Sequence, residues 1–449
     1  MNRRFLHLDF KGIVPAFERL SEYFEYFKEC GFEGIVFEFD CRVRWRSWPG
    51  AGMPEYTAEQ AAAIVSLAES YGFETIPLMQ IQGHLEWALG EEAYAGLREN
   101  GYFTLCPSAP GAQEQLFSWM EELREMFPNS KYIHLGADEV SHIGECPLCK
   151  ARCGEGKDKF KLYLEHASAL CCHAEKLGFR PMIWGDMLLG ESDPVAAAKQ
   201  LPENTIIVDW KYWGPGPYKS TEILKQSGHE VWGASGVQCA WYEHFRQILP
   251  FYEDRLENIL GWHNFDGTVI HTTWGRSGNK YGVYPPWLMT VPLWAAAGDP
   301  EKWAKHPWKE GIEKLSRLLR RALEFELVKV PAEIRQWSAS CRLEEESREY
   351  LALGVEFQIL VNRLLEIMSD YDSLRESRRF VGVDPRIVQR DLIRSPRQLE
   401  KDLAELLPKL GEVFDRNQLA AKEEFLAEFS SQFRRLKEVK PFDVPCSEN

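Results

Sequence analysis

The chain has 449 residues, with 53 lysines and arginines against 68 aspartates and glutamates, a formal net charge of −15, and 45% apolar and 27% charged residues. That length fits two to three ordinary domains, or one large α/β barrel with an appendage, and excludes a small scaffold that depends on staples. The acidic balance leaves no cationic surplus for a phosphate backbone, which argues against nucleic acid as the main partner.

After Met1, the residues His7, Asp9 and Lys11 interrupt what would have to be the apolar core of a secretion signal, so the chain reads as cytoplasmic. Eight short apolar, β-branched runs follow in order: Phe5 to Asp9, Gly34 to Phe39, Thr75 to Met79, Tyr132 to Leu135, Pro181 to Trp184, Thr205 to Val208, Glu230 to Gly233 and Thr268 to Thr273. Longer amphipathic stretches separate them. One of these opens on Thr57-Ala-Glu-Gln60, a capping box at the head of an apolar-periodic run. Eight βα units predict a (β/α)₈ TIM barrel. A doubly wound open sheet would also alternate, but no glycine-rich phosphate loop follows the first run. The longest charge-free apolar stretch, Tyr281 to Gly298, contains Pro285, Pro286 and Pro292, so no membrane span is expected.

Fifteen of the 16 tryptophans and 30 of the 33 glycines precede residue 331. This shift divides the chain into a barrel, residues 1–330, and a mostly helical C-terminal domain, residues 331–449. In the latter, runs such as Glu356 to Met368 have helical spacing. The apolar stripe of that tail would either pack on the barrel's flank or pair two subunits in a homodimer.

A barrel of this kind carries its active site at the carboxyl ends of the strands. There the sequence places Asp9 and Lys11, Glu38 and Asp40, then Gln80, Gln82 and His84. Farther along come His134 with Asp138 and Glu139, Trp184 with Asp186, Asp209 with Trp210, Tyr212 and Trp213, then Trp232 and Gln238, and last Trp274 with Arg276. A lone His or Trp at a strand end is usually packing. Carboxylates and indoles at nearly every strand end cannot all be core, because an unpaired buried carboxylate is costly. They predict a wet pocket with flat apolar walls for a sugar ring. Side chains of Asp138 and Glu139 would leave a strand on opposite faces, so both enter one pocket only if the chain bends there, as Gly136 permits. Two carboxylates so placed raise one apparent pKa and prepare a neutral acid.

The segment His134-Leu-Gly-Ala-Asp138-Glu139 resembles the His-x-Gly-x-Asp-Glu signature of glycoside hydrolase family 20, the β-N-acetylhexosaminidases. His7 to Gly12, Tyr56-Thr57, Ile76 to His84, Trp184 to Met187, Trp232 to Ser235 and Thr273 to Arg276 resemble, in order, blocks of its short cytosolic hexosaminidase D type. The likeness runs from about residue 5 to 295.

The resemblance implies an exo-acting retaining hydrolase without a cofactor, acting on glycans or glycoconjugates that end in β-N-acetylhexosamine. The substrate's own acetamido oxygen would be its nucleophile. It further implies Glu139 as general acid and then base, Asp138 orienting the acetamide, and Tyr212 donating a hydrogen bond to the acetamido oxygen. Trp184, Trp210 and Trp274 would wall the sugar, and His84 would pair with Glu38 or Asp40. Asp9, Lys11, His134, Asp186 and Arg276 complete the expected substrate-binding set. Larger members place an arginine on the first strand to grip the 3- and 4-hydroxyls, where this chain has Asp9 and Lys11. A glutamate two residues past the last tryptophan is replaced by Arg276. Lysine cannot reproduce the bidentate fork, which implies a relaxed or galacto-directed preference at the 4-hydroxyl.

Eleven cysteines in a chain that reads as cytoplasmic suggest reduced thiols. Cys146, Cys149 and Cys153 lie in the loop after the fourth strand, with His142 four residues upstream of the first. Three thiols at this spacing approach a zinc site but are one ligand short unless His142 or a distant cysteine completes it, so free thiols and no metal are expected. Two other readings stand beside the hexosaminidase: a retaining glycosidase with Asp186 or Asp209 as nucleophile, and a non-catalytic sugar-binding barrel.

Overall fold

The computed structural model describes residues 3–274, apart from 12–16, 18–19, 53, 141, 154–158, 217 and 239–251, together with isolated positions between 401 and 412. Arg276, the stretch Tyr281 to Gly298, the boundary at 330/331 and nearly all of the tail lie outside the described residues.

The elements alternate as expected. β1 (Arg4–Asp9) leads to α1 (Leu20–Cys30), β2 (Gly34–Glu38) to α2 (Ala58–Ser70), and β3 (Glu74–Pro77) to α3 (Glu86–Leu89) and α4 (Ala112–Met126). β4 (Tyr132–His134) is followed by α5 (Pro147–Cys153) and α6 (Lys159–Lys176), and β5 (Arg180–Trp184) by α7 (Asp186–Leu189) and α8 (Pro194–Ala198). β6 (Ile206–Trp210) precedes α9 (Lys219–Lys225), β7 (Val231–Gln238) precedes α10 (Tyr252–Trp262), and β8 (Val269–Thr273) ends the described sheet. Each predicted strand matches one of these to within a few residues. The sheet is parallel in the order β3-β2-β1-β8-β7-β6-β5-β4. The β3 and β4 edges meet through a parallel bridge between Leu78 and His134, where the Met79 amide donates to the His134 carbonyl at 2.9 Å. The result is a (β/α)₈ barrel.

Strand periodicity sorts the side chains into two cores. Leu6, Leu8, Ile35 and Phe37 pack outward against the helices, while Phe5, Val36, Ile76, Met182, Val208 and Ile270 fill the barrel. Trp232 sits low in this interior against Phe5 and Tyr132, with ring centroids 5.4 and 5.3 Å away, so it is packing rather than pocket. The capping box at α2 is present: the Gln60 amide donates to Thr57 Oγ1, and the Thr57 amide donates to Gln60 Oε1. Trp45, Trp48, Trp87 and Trp119 do not reach the strand ends. They stack edge to face on one another, with Trp48, Trp87 and Trp45 each against Trp119.

Candidate active site

The interior face of each strand continues at its carboxyl end into a polar or aromatic residue. Phe5 is followed two residues on by His7 and then Asp9, Met182 by Trp184 and Asp186, and Val208 by Trp210 and Tyr212. The same parity removes one candidate: Asp209, between Val208 and Trp210, points out of the barrel and accepts hydrogen bonds from Ser220 Oγ (2.7 Å) and Thr221 Oγ1 (2.6 Å), the latter two on α9.

The chain bends sharply after β4. Gly136, Ala137 and Glu139 all have positive φ, at 60°, 69° and 50°. At Gly136 a Cβ would lie 1.9 Å from Gln80 Oε1, so another residue would have to displace that side-chain amide as well as adopt a left-handed conformation. As a result the carboxylates of Asp138 and Glu139 converge on one side chain. His84, also in the left-handed region at φ 57°, stands between them, with Nε2 3.4 Å from Asp138 Oδ2 and 3.2 Å from Glu139 Oε2. This corrects the expectation that His84 pairs with Glu38 or Asp40. Gly83, whose Cβ would meet the Asp138 carbonyl at 2.6 Å, brings the two loops together so that His84 lands on the β4 acids. The Phe103 ring supports it edge-on, with centroids 4.6 Å apart. Burial opposes charge on His84, but Asp138 and Glu139 prevail and raise its pKa to about 10.

Glu38 is instead held by His7, whose Nε2 lies 2.9 Å from Glu38 Oε2. His7 was missed in the sequence, although its position two residues before Asp9 on the same face was the available signal. Lys11 Nζ lies 3.1 Å from Asp9, 2.7 Å from Glu38 and 3.2 Å from Asp40, so its three N–H donors are directed at three carboxylates. Burial disfavours its charge, but Asp40, Asp9 and Glu38 hold its pKa well above the ordinary lysine value. The other oxygen of Asp40, Oδ1, is buried without a hydrogen-bond partner among the described residues.

The aromatic residues at the ends of β5, β6 and β8 come together. Trp184 and Trp274 lie 5.9 Å apart, Trp210 and Tyr212 5.1 Å, and the Trp274 indole N–H donates to the Tyr212 hydroxyl at 2.6 Å. An indole can only donate, so the phenol is the acceptor in that bond and its own proton is directed elsewhere. His134 packs beneath Trp184 with centroids 4.1 Å apart. Burial lowers its pKa to about 3. The neutral ring accepts the Gly136 N–H at Nδ1 and so carries its proton on Nε2. Asp186 Oδ2 accepts the Glu139 N–H at 2.9 Å, and Oδ1 accepts the Trp210 indole N–H at 3.3 Å. Burial, with the Asp138 charge second, pushes Asp186 up to about 7. Asp138 Oδ1 is buried and unpartnered among the described residues, as are the amide O and N of Gln82, which follows β3.

Of the cysteine loop, Cys146 and Cys149 come together but Cys153 does not join them, and His142 turns to Glu145 at 3.3 Å. Cys106, forty residues upstream of Cys146, and Glu99 complete the cluster.

The profile of the glycosyl hydrolase family 20 catalytic domain matches residues 44–247. The chain is 30% identical over 278 residues to hexosaminidase D of Bos taurus, covering 59% of this chain and 80% of that one. It is 28% identical over 293 residues to hexosaminidase D of Homo sapiens, covering 61% of this chain and 60% of the human protein's length. In fold it is similar to a β-N-acetylhexosaminidase from Bacteroides fragilis, with a TM-score of 0.51, 18% identity, and 69% and 71% of the two chains covered. It is also similar to a chitobiase from Flavobacterium johnsoniae, with a TM-score of 0.53, 16% identity, and 97% and 74% covered. The chain belongs to glycoside hydrolase family 20 and is a glycoside hydrolase of the β-N-acetylhexosaminidase type.

Proposed function

We propose that the chain releases terminal β-linked GlcNAc or GalNAc from cytosolic glycans or glycoconjugates by exo-acting, retaining hydrolysis in which the substrate's acetamido oxygen is the nucleophile. The observation that carries this reading is Asp138 Oδ1, a buried carboxylate oxygen without a partner among the described residues, on a loop that Asp186 ties to Trp210 of the cluster Trp184, Trp210, Trp274 and Tyr212. An acetamide would give this acceptor its N–H and lay its methyl against the indoles, whereas the 2-hydroxyl of a plain hexose could supply only the donor.

In this reading protonated Glu139 donates to the glycosidic oxygen as the acetamido carbonyl oxygen bonds to C1 and the bond to the leaving group breaks. Asp138 accepts the acetamide N–H and balances the positive charge of the oxazolinium, while the Tyr212 proton holds the carbonyl oxygen on line. Glu139, now a carboxylate, takes a proton from water as the water oxygen adds to C1 and the oxazolinium ring reopens to the acetamide. Glu139 is suited to this exchange because it is part-exposed while its backbone is pinned by Asp186.

Sugar hydroxyls meet acceptors on the β1–β2 side. Lys11 is spent on Asp9, Glu38 and Asp40, so it orients those acids rather than gripping the sugar itself. Double displacement through an enzyme carboxylate has less support, since Asp209 faces α9 and Asp186 already accepts two hydrogen bonds.

The test is a series of aryl β-GlcNAc substrates whose acetamide carries none, one, two or three fluorines. Each fluorine makes the carbonyl oxygen less basic, so kcat should fall stepwise. A flat response, together with a 2-fluoro sugar trapped as an ester on Asp186, would overturn substrate assistance.

A further inference from the structure

We propose that Cys106, Cys146, Cys149 and Glu99 form a structural zinc site that ties the loop after β3 to the loop after β4. The four ligand atoms all lie within 4.8 Å of one another, although they come from segments some forty residues apart. Cys106 Sγ is 3.4 Å from Cys146 Sγ and 3.5 Å from Cys149 Sγ, and Glu99 Oε2 is 3.0 Å from Cys149 Sγ. Tetrahedral Zn–S bonds of about 2.3 Å would separate the sulfurs by ~3.8 Å, so seating the ion requires the thiols to spread by a few tenths of an ångström. The set is closed, with four protein ligands and no open position, which is the pattern of a structural rather than a catalytic zinc. Three soft thiolates with one carboxylate favour zinc over magnesium or calcium.

Polar groups already surround the sulfurs. The Cys149 amide donates to Cys146 Sγ at 3.3 Å. Glu99 Oε1 takes the amides of Glu145 (2.6 Å) and Cys146 (2.8 Å), which leaves Oε2 on the sulfur side. Ser108 Oγ lies 3.1 Å from Cys149 Sγ and also 3.1 Å from Arg152 Nη1, so its hydroxyl can turn to donate to a thiolate there. Binding displaces the thiol protons to water, and the ion takes their place among the sulfurs.

The site would stiffen both loops of the active centre. The Leu105 amide, one residue before Cys106, donates to the Gln82 carbonyl at 2.8 Å, and Phe103 backs His84. Cys146 follows Glu139 by seven residues. Zinc has no role in the chemistry proposed above, so the two readings stand or fall separately.

Full-length protein, expressed with zinc and dialysed free of loose metal, should carry about one zinc per chain by elemental analysis. Chelation should lower Tm, and zinc but not magnesium should restore it. Cobalt in place of zinc should show thiolate-to-metal charge-transfer absorption. Cys106→Ser and Glu99→Gln should each lose the metal, while Cys153→Ser keeps it. Metal-free wild type with these thiols all titratable, or with Cys106 in a disulfide two mass units lighter, would overturn the proposal, as would full zinc in both Cys106→Ser and Glu99→Gln.

Discussion

The placement of His84 between Asp138 and Glu139 has a measurable consequence for the acid. With a pKa raised to about 10, His84 is a cation throughout the neutral range, 3.2 Å from Glu139 Oε2. A cation there favours the ionised carboxylate and so works against Glu139 as a proton donor. Two unit charges at 3.2 Å interact by about 1.3 kcal/mol at a dielectric constant near 80 and about 5 kcal/mol near 20. The Glu139 side chain is 39% exposed, so solvent screening places the effect at the low end, about one pH unit. His84→Asn removes the charge and keeps a residue that tolerates a φ of 57°. The alkaline limb of kcat/KM, where the acid loses its proton, should therefore move up by about one pH unit. The plateau should drop at the same time, because Asn is too short to hold both carboxylates. A limb that stays in place, or moves down, in a variant with wild-type circular dichroism would refute the assignment of Glu139 as the titrating acid beside His84.

Three further outcomes are expected. Glu139→Gln keeps the shape and removes the proton, so alkyl glycosides should lose about 10²–10⁴-fold in kcat/KM and activated aryl glycosides far less; equal losses on both would count against the acid role. Asp138→Asn and Tyr212→Phe should each weaken a thiazoline mimic of the oxazolinium by roughly 10 to 150-fold, read by competitive inhibition, since each removes a charge-assisted or buried hydrogen bond of about 1.5–3 kcal/mol. His84 binds its proton more tightly folded than unfolded. The stability it adds is fully present below pH 6.5 and lost as pH rises toward about 10, so the Tm gap between wild type and His84→Asn should narrow over that window; a constant gap would contradict the ion pair.

How much of this was legible in the sequence follows from the range of each signal. A strand declares itself through apolar alternation over five or six residues, which is why β1 to β8 could be placed and why Asp9, Trp184, Trp210 and Trp274 could be expected at the strand ends. The same alternation puts Asp209 one residue out of phase with Val208 and Trp210, so it faces α9. Loop geometry gives no such periodic cue. His84 meets Asp138 rather than Glu38 because two loops cross at Gly83, and Glu38 is already engaged by His7, Gln80 and Lys11. Cys106 joins Cys146 across forty residues with no spacing rule to mark it. Where three carboxylates converge on Lys11, the sequence suggested a weak substitute for arginine, whereas the structure makes the lysine a counter-ion to Asp9, Glu38 and Asp40. That inversion has a physical cause: an ammonium has only three donors, and burial forces each of them to a carboxylate before any sugar arrives.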